Sequence, residues 1–91
     1  MTKNALWLRI DGAQVTRGVQ EACAKLETCE GEAVLDFSGV NRIDAGAVQA
    51  LEEFATKAAA VSVKPVLHGV HAEVYRVLML MKLAPRFSFG G

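Results

Sequence analysis

The sequence carries no surplus of charge, little cysteine or proline, and no long apolar run. Ten Lys and Arg balance ten Asp and Glu over 91 residues, so the basic footprint that drives nucleic-acid binding is missing and no nucleic-acid partner is expected. Two cysteines, Cys23 and Cys29, are too few to staple a small secreted domain. They read as reduced, half-buried spacers rather than a disulfide or a metal pair. The longest apolar run, Val77-Leu78-Met79-Leu80-Met81, has five residues, where a membrane span needs about twenty. No membrane insertion is expected. Met1 to Ala5 bring one positive charge and no apolar stretch behind it, which is not the pattern of a secretory signal. A cytoplasmic location is the expectation.

What is present is apolar and periodic. Hydrophobic residues make up 52% and charged residues 22% of the chain, a balance that folds rather than one that stays disordered. The length suits one domain, residues 1–91, with a core over about 5–89. Leu6, Leu8 and Ile10 alternate with Ala5, Trp7 and Arg9, which predicts a strand ending at Asp11-Gly12. Val15, Val19, Ala22, Cys23 and Leu26 recur at helical spacing over 15–29. Ala33 to Phe37 is an apolar run too short for a helix, fenced by Gly31 and by Ser38-Gly39, and predicts a buried strand containing Asp36. Ala47, Val48, Leu51, Phe54, Ala55 and Ala58 mark a helix over about 45–60, with Asp44 placed to cap it. A third strand follows over 63–67, with Pro65 arguing for a strand start or an edge. Residues 71–83 predict a helix apolar on more than one side, and Phe87-Ser88-Phe89 a short last strand that covers part of it. Gly90-Gly91 should be loose. Strands alternating with helices give an α/β domain in which right-handed crossovers put the middle strands parallel and inside; the whole is expected as a small mixed sheet with helices packed against it.

The stretch Val34-Leu35-Asp36-Phe37-Ser38-Gly39-Val40-Asn41-Arg42-Ile43-Asp44-Ala45-Gly46 resembles the signature of the STAS family. That family comprises sulfate-transporter C-terminal domains and anti-sigma-factor antagonists. Its pattern is a buried strand ending in Asp-(Leu/Phe)-Ser, a short loop with an apolar residue before a second Asp, and then a small-residue helix start. Val66-Leu67-His68-Gly69-Val70, followed by Glu73 to Leu78 and Leu83, is similar to the family's later strand and last helix. The resemblance implies a non-enzymatic protein-binding module without a cofactor. In the antagonists, a kinase phosphorylates a Ser or Thr at the first or second place after the second Asp. Those places here are Ala45 and Gly46, which have no hydroxyl. The family's usual covalent switch, which would add about −1.5 to −2 charges, is therefore not expected at them.

Each chemistry-bearing residue also has a structural role open to it. Asp44 is first a helix cap and second a partner contact. Asp36 should hydrogen-bond the loop that follows it. Ser38 is the nearest hydroxyl in sequence to the helix entrance, and loop hydrogen bonding competes there with modification. His68 and His71 flank a strand end with no Cys, Asp or Glu at zinc-ligand spacing, so no metal site is expected. Gly46, Gln49, Glu52, Glu53 and Lys57 lie away from the apolar face of the second helix. Asp44, Ala45, Gly46, Gln49 and Glu53 are the candidate partner-binding residues.

Three function classes compete. The first is a docking module for a larger protein. Its partner is either the ATPase of an ABC transporter, as for the small STAS subunit of phospholipid-transport complexes, or an anti-sigma factor or kinase of a partner-switching pathway. The segment Gly69 to Tyr75 and the missing hydroxyls lean to the transporter, as a constitutive subunit. The apolar 71–83 region, with 72–83 as its helix, also offers a surface on which two copies could pair. The second class is a receiver-like phospho-acceptor on Asp36, which lacks the usual acidic pair and five-strand length. The third, a hydrolase or transferase, finds no nucleophile elbow, Walker loop or metalloprotease motif.

Overall fold

The computed structural model describes residues 4–90. The chain runs β1 (Asn4–Arg9), α1 (Val15–Ala24), β2 (Cys29–Asp36), α2 (Ala45–Ala60), β3 (Lys64–His68), α3 (Ala72–Leu80) and β4 (Ser88–Gly90). Single 3-10 turns occupy Leu26–Thr28 and Ala84–Arg86. The four strands form one sheet in the order β1-β2-β3-β4. The α/β class is as expected. The sheet is a correction: a mixed one was expected, and every pairing among the described strands is parallel. The reason is that a helical segment connects each strand to its neighbour, returning the chain to the starting end of the sheet each time.

The sheet has one covered face. Leu6 and Leu8 of β1, Ala33 and Leu35 of β2 and Leu67 of β3 belong to a single core with Val19 and Ala22 of α1, Leu51, Phe54 and Ala58 of α2, and Val74 and Leu78 of α3. Strand alternation sends Trp7, Val34 and Val66, which are in register, to the other face. Trp7 is 58% exposed there and tilts against His68, with ring centroids 5.1 Å apart. Phe54 and Phe87 stack at 6.4 Å inside the core.

Element boundaries differ from expectation where tertiary structure overrides local pattern. The first helix was expected to reach residue 29, but α1 stops at Ala24 and Leu26 is buried from the 3-10 turn instead. Cys29 therefore begins β2 rather than ending a helix; it is buried and Cys23 half-buried, both as free thiols. Gly31 lies within β2 at φ +89°, where the pairing with β1 slips between Asn4 and Leu6. A residue without Cβ takes that conformation at no steric cost. Helix α2 spans Ala45–Ala60, matching the expected 45–60. Pro65 is tolerated in an interior strand because β4 pairs with β3 only from Val66 onward.

The last helix is shorter than expected and ends at Leu80, after which Lys82 takes φ +60° and Leu83 turns back into the core. Val74 and Leu78 are buried, while Tyr75, Met79, Leu80 and Met81 are exposed. The cover expected from the final strand is partial: Phe89 meets the Tyr75 ring edge-on at 5.2 Å. Gly90 is the last residue of β4, and Gly91, also expected to be loose, lies outside the described residues, as do Met1, Thr2 and Lys3.

Phe54 is fully buried, so Phe54→Ala should remove about 3–5 kcal/mol of stability, read as a lower urea midpoint. Trp7→Ala on the bare face should cost far less in the same measurement.

Candidate functional site

A parallel sheet whose helices all lie on one side brings the loops after β1 and β2 to the same end. Here they touch. A Cβ on Gly12 would collide with the carbonyl oxygen of Gly39, whereas one on Gly39 would meet only the Ile10 carbonyl at 3.9 Å. Gly12 is thus fixed by close approach of two backbones, and that approach sets α1 and α2 side by side at their N-termini.

Asp44 starts α2. Its Oδ1 accepts the Ala47 N–H at 2.8 Å, and its carbonyl accepts from Val48 at 3.0 Å. The cap role expected for it is present, a contribution of about 0.5–2 kcal/mol. Asp36 ends β2, and its Oδ1 accepts the Ser38 N–H at 3.0 Å, the loop bond expected. The hydrogen bonds from Ser38 hold its carboxyl below the ordinary aspartate range, helped by the charges of His68 and Arg9 against the opposing effect of burial. Ser38 is exposed; its carbonyl accepts from His71 Nε2 at 2.8 Å, tying the loop after β2 to the start of α3. His68 lies against Trp7 instead. Among the described residues no cluster of three or more His, Cys, Asp or Glu could hold a metal ion.

Ala45, Gly46, Gln49, Glu52 and Glu53 are exposed along α2. The stripe expected from periodicity therefore faces outward, except that Lys57 is half-buried and pairs with Glu27 at 3.5 Å. Gly46 is closely approached, but by this chain itself: a Cβ there would meet Thr16 Oγ1 at 3.3 Å and Asp44 Oδ1 at 3.4 Å. Ser38 is the nearest hydroxyl in sequence, and the structure instead puts the hydroxyl of Thr16, on α1, beside the α2 entrance.

Sequence reasoning missed Thr16, Arg17 and Arg42. With Gln14, Ile43, Asp44 and others they line an open cavity of about 410 Å³ between the two helix starts. Nothing in the spacing of α1 to the later motif links them, and only the crossover topology does. Arg42 does stand inside the Asn41-Arg42-Ile43-Asp44 loop, where its proximity to Asp44 was the one available signal. The cavity holds a hydroxyl, two guanidinium groups and a carboxylate already engaged as a cap. These groups can donate to and accept from a ligand or a partner's side chain.

Two variants test this geometry. Gly12→Ala should lower the thermal midpoint by forcing the loops apart, while Gly39→Ala should leave it within a few degrees. Asp36 gives a pH dependence: its folded carboxyl is the stronger acid, so its contribution is full above the ordinary carboxylate range and is lost as pH falls through the depressed folded value. The carboxylate lies near solvent, so the effect is screened and small. Asp36→Asn should flatten the fall of stability with acid in urea titrations below about pH 4.

Comparisons with known proteins converge on one fold. The family model of the STAS domain matches residues 2–90. A Thermotoga maritima protein described as an anti-sigma factor antagonist superposes with a TM-score of 0.73 at 16% identity, covering 100% of this chain and 75% of that one. An anti-sigma-factor antagonist (STAS) domain protein from Planctomyces limnophilus superposes with a TM-score of 0.70 at 12% identity, covering 93% of this chain and 80% of that one. No curated protein matches.

Proposed function

The chain belongs to the STAS family, and we propose that it is a non-enzymatic docking module that holds a larger protein at the entrance and outward stripe of α2. Asp44, Ala45, Gly46, Gln49 and Glu53 form the contact region, with Asp44 also capping the helix. The observation that carries this reading is the pair Ala45-Gly46: they occupy the mouth of an exposed helix face and offer no hydroxyl for esterification. Such a face is always ready to bind, which suits a constitutive accessory subunit of an ABC-type lipid transporter docked on its ATPase in the cytoplasm. Ser38, exposed and hydrogen-bonded within its loop, is the residue at which modification would restore a switch.

A second reading has its own support. Two structural neighbours are described as anti-sigma-factor antagonists, which favours an anti-sigma factor or its kinase as partner. Immobilised chain incubated with a lysate of its own cells separates the two: an ATPase retained supports the transporter reading, and a sigma-pathway kinase retained overturns it.

The face itself is tested at Gln49 rather than Gly46, because a side chain on Gly46 would first press on Thr16. Gln49→Arg should weaken the retained partner about tenfold or more with the thermal midpoint unchanged. Equal affinity would place the contact elsewhere.

A further inference from the structure

Among the described residues, the helices leave one face of the sheet bare. Right-handed crossovers between strands laid in the order β1-β2-β3-β4 carry α1, α2 and α3 to the same side, whereas parallel sheets ordinarily have both faces covered. Three rows of side chains cross the bare face. Trp7, Val34, Val66 and Ser88 form the middle row by register, with Arg9, Asp36, His68 and Gly90 on its carboxyl side and Glu32 and Lys64 on its amino side. Trp7 starts on the edge strand β1, yet its ring lies 5.1 Å from that of His68 on β3. The indole therefore reaches across β2 towards the middle of the sheet, and it is 58% exposed.

This face is complementary to itself. A two-fold axis running along the strands, between β2 and β3, lays β2 over β3 of a second copy and β1 over its β4. Each row then meets the same row of the other copy. Asp36 falls opposite His68, Glu32 opposite Lys64 and Arg9 opposite Gly90, while the two indoles come together near the axis. Aligned sheets pack about 10 Å apart, a layer that large side chains fill. An axis turned across the strands brings Asp36 over Glu32 and His68 over Lys64 instead, which sets like charges together. Charge thus selects the lengthwise axis. The charged or titratable side chains that alternation sends to this face after the Gly31 kink are Arg9, Glu32, Asp36, Lys64 and His68. Four of the five gain a complementary neighbour, and Arg9 stays at the rim.

From this self-complementarity we propose that two copies of the chain pair face to face through their sheets, with Trp7 at the centre and the Asp36/His68 and Glu32/Lys64 pairs around it. The helices lie on the other side of the sheet, so this contact goes beyond the docking role of α2 and leaves that face open. A Trp buried at the centre of a contact supplies much of its binding energy, and the charged pairs fix orientation more than they add affinity. Glu32 and Lys64 are exposed and sit at the margin, where pairing costs little desolvation. The face is small for an interface, which makes the dimer concentration-dependent rather than obligate.

The test is sedimentation equilibrium of the full chain over a rising concentration series. The mass should pass from one chain to two, and Trp7→Ala should weaken the association at least about tenfold. Glu32→Lys and Lys64→Glu should each weaken it as well, because each sets like charges across the axis. Mixing the two reversed chains should restore a dimer, since the reversed position 32 of one then faces the reversed position 64 of the other. Within each chain the reversed residue still lies beside a like charge on the neighbouring strand, so a role confined to one chain gives no rescue on mixing. If Trp7→Ala lowers the thermal midpoint, the mixing experiment decides alone. A chain that stays single up to millimolar concentration overturns the proposal, as does failure of the mixed chains to pair. A dimer that survives Trp7→Ala and both reversals but is lost in Leu80→Glu puts the contact on α3 and overturns it too.

Discussion

Strand order identical to chain order is the constraint on which the rest of this molecule depends. Each strand joins its neighbour in parallel through a helical segment, so the helices share one face and the loops leaving the strands share one end. Close approach of Gly12 to the Gly39 carbonyl then fixes how near the first two loops lie. Residues distant in sequence, Thr16 and Arg17 on one side and Arg42 to Gly46 on the other, become walls of a single recess. The Asp44 cap fixes where α2 starts within it.

The parts of this arrangement that were legible in the sequence are those decided locally. Asp44 followed by a long apolar period places α2 to the residue, because a cap and a helical stripe are both short-range signals. Asp36 at the end of an apolar run announces a loop hydrogen bond for the same reason. The end of α1 and the start of β2 were not legible. Leu26 keeps the helical spacing while the backbone has already tightened into a 3-10 turn, and Gly31, which reads as punctuation, is a kink inside a strand. The parallel pairing of the middle strands was legible from the helix between them, whereas the direction of the outer strands was not, since alternation defines a strand but not the direction of its neighbour. The placement of Thr16 beside the α2 entrance is purely a product of chain crossover.

The exposed apolar side chains are unevenly distributed. Tyr75, Met79, Leu80, Met81 and Phe89 are exposed together around α3 and β4, while α2 presents mainly small and polar side chains outward. On the opposite side of the sheet, Trp7 leans against His68, and Val34, the register partner of Trp7, is only 7% exposed. Parallel sheets commonly have layers on both faces; this one uses a single large aromatic ring as a partial substitute.

A sheet laid down in chain order also has a natural direction of assembly. As synthesis proceeds from the N-terminus, every new strand finds its hydrogen-bonding neighbour already emerged, and no earlier strand must wait for a later one to be threaded beside it. The last addition, three residues of β4 on the outer edge, closes the process with the least pairing to be made or undone. Growth at one margin leaves the two loops that build the recess complete well before the final helix appears.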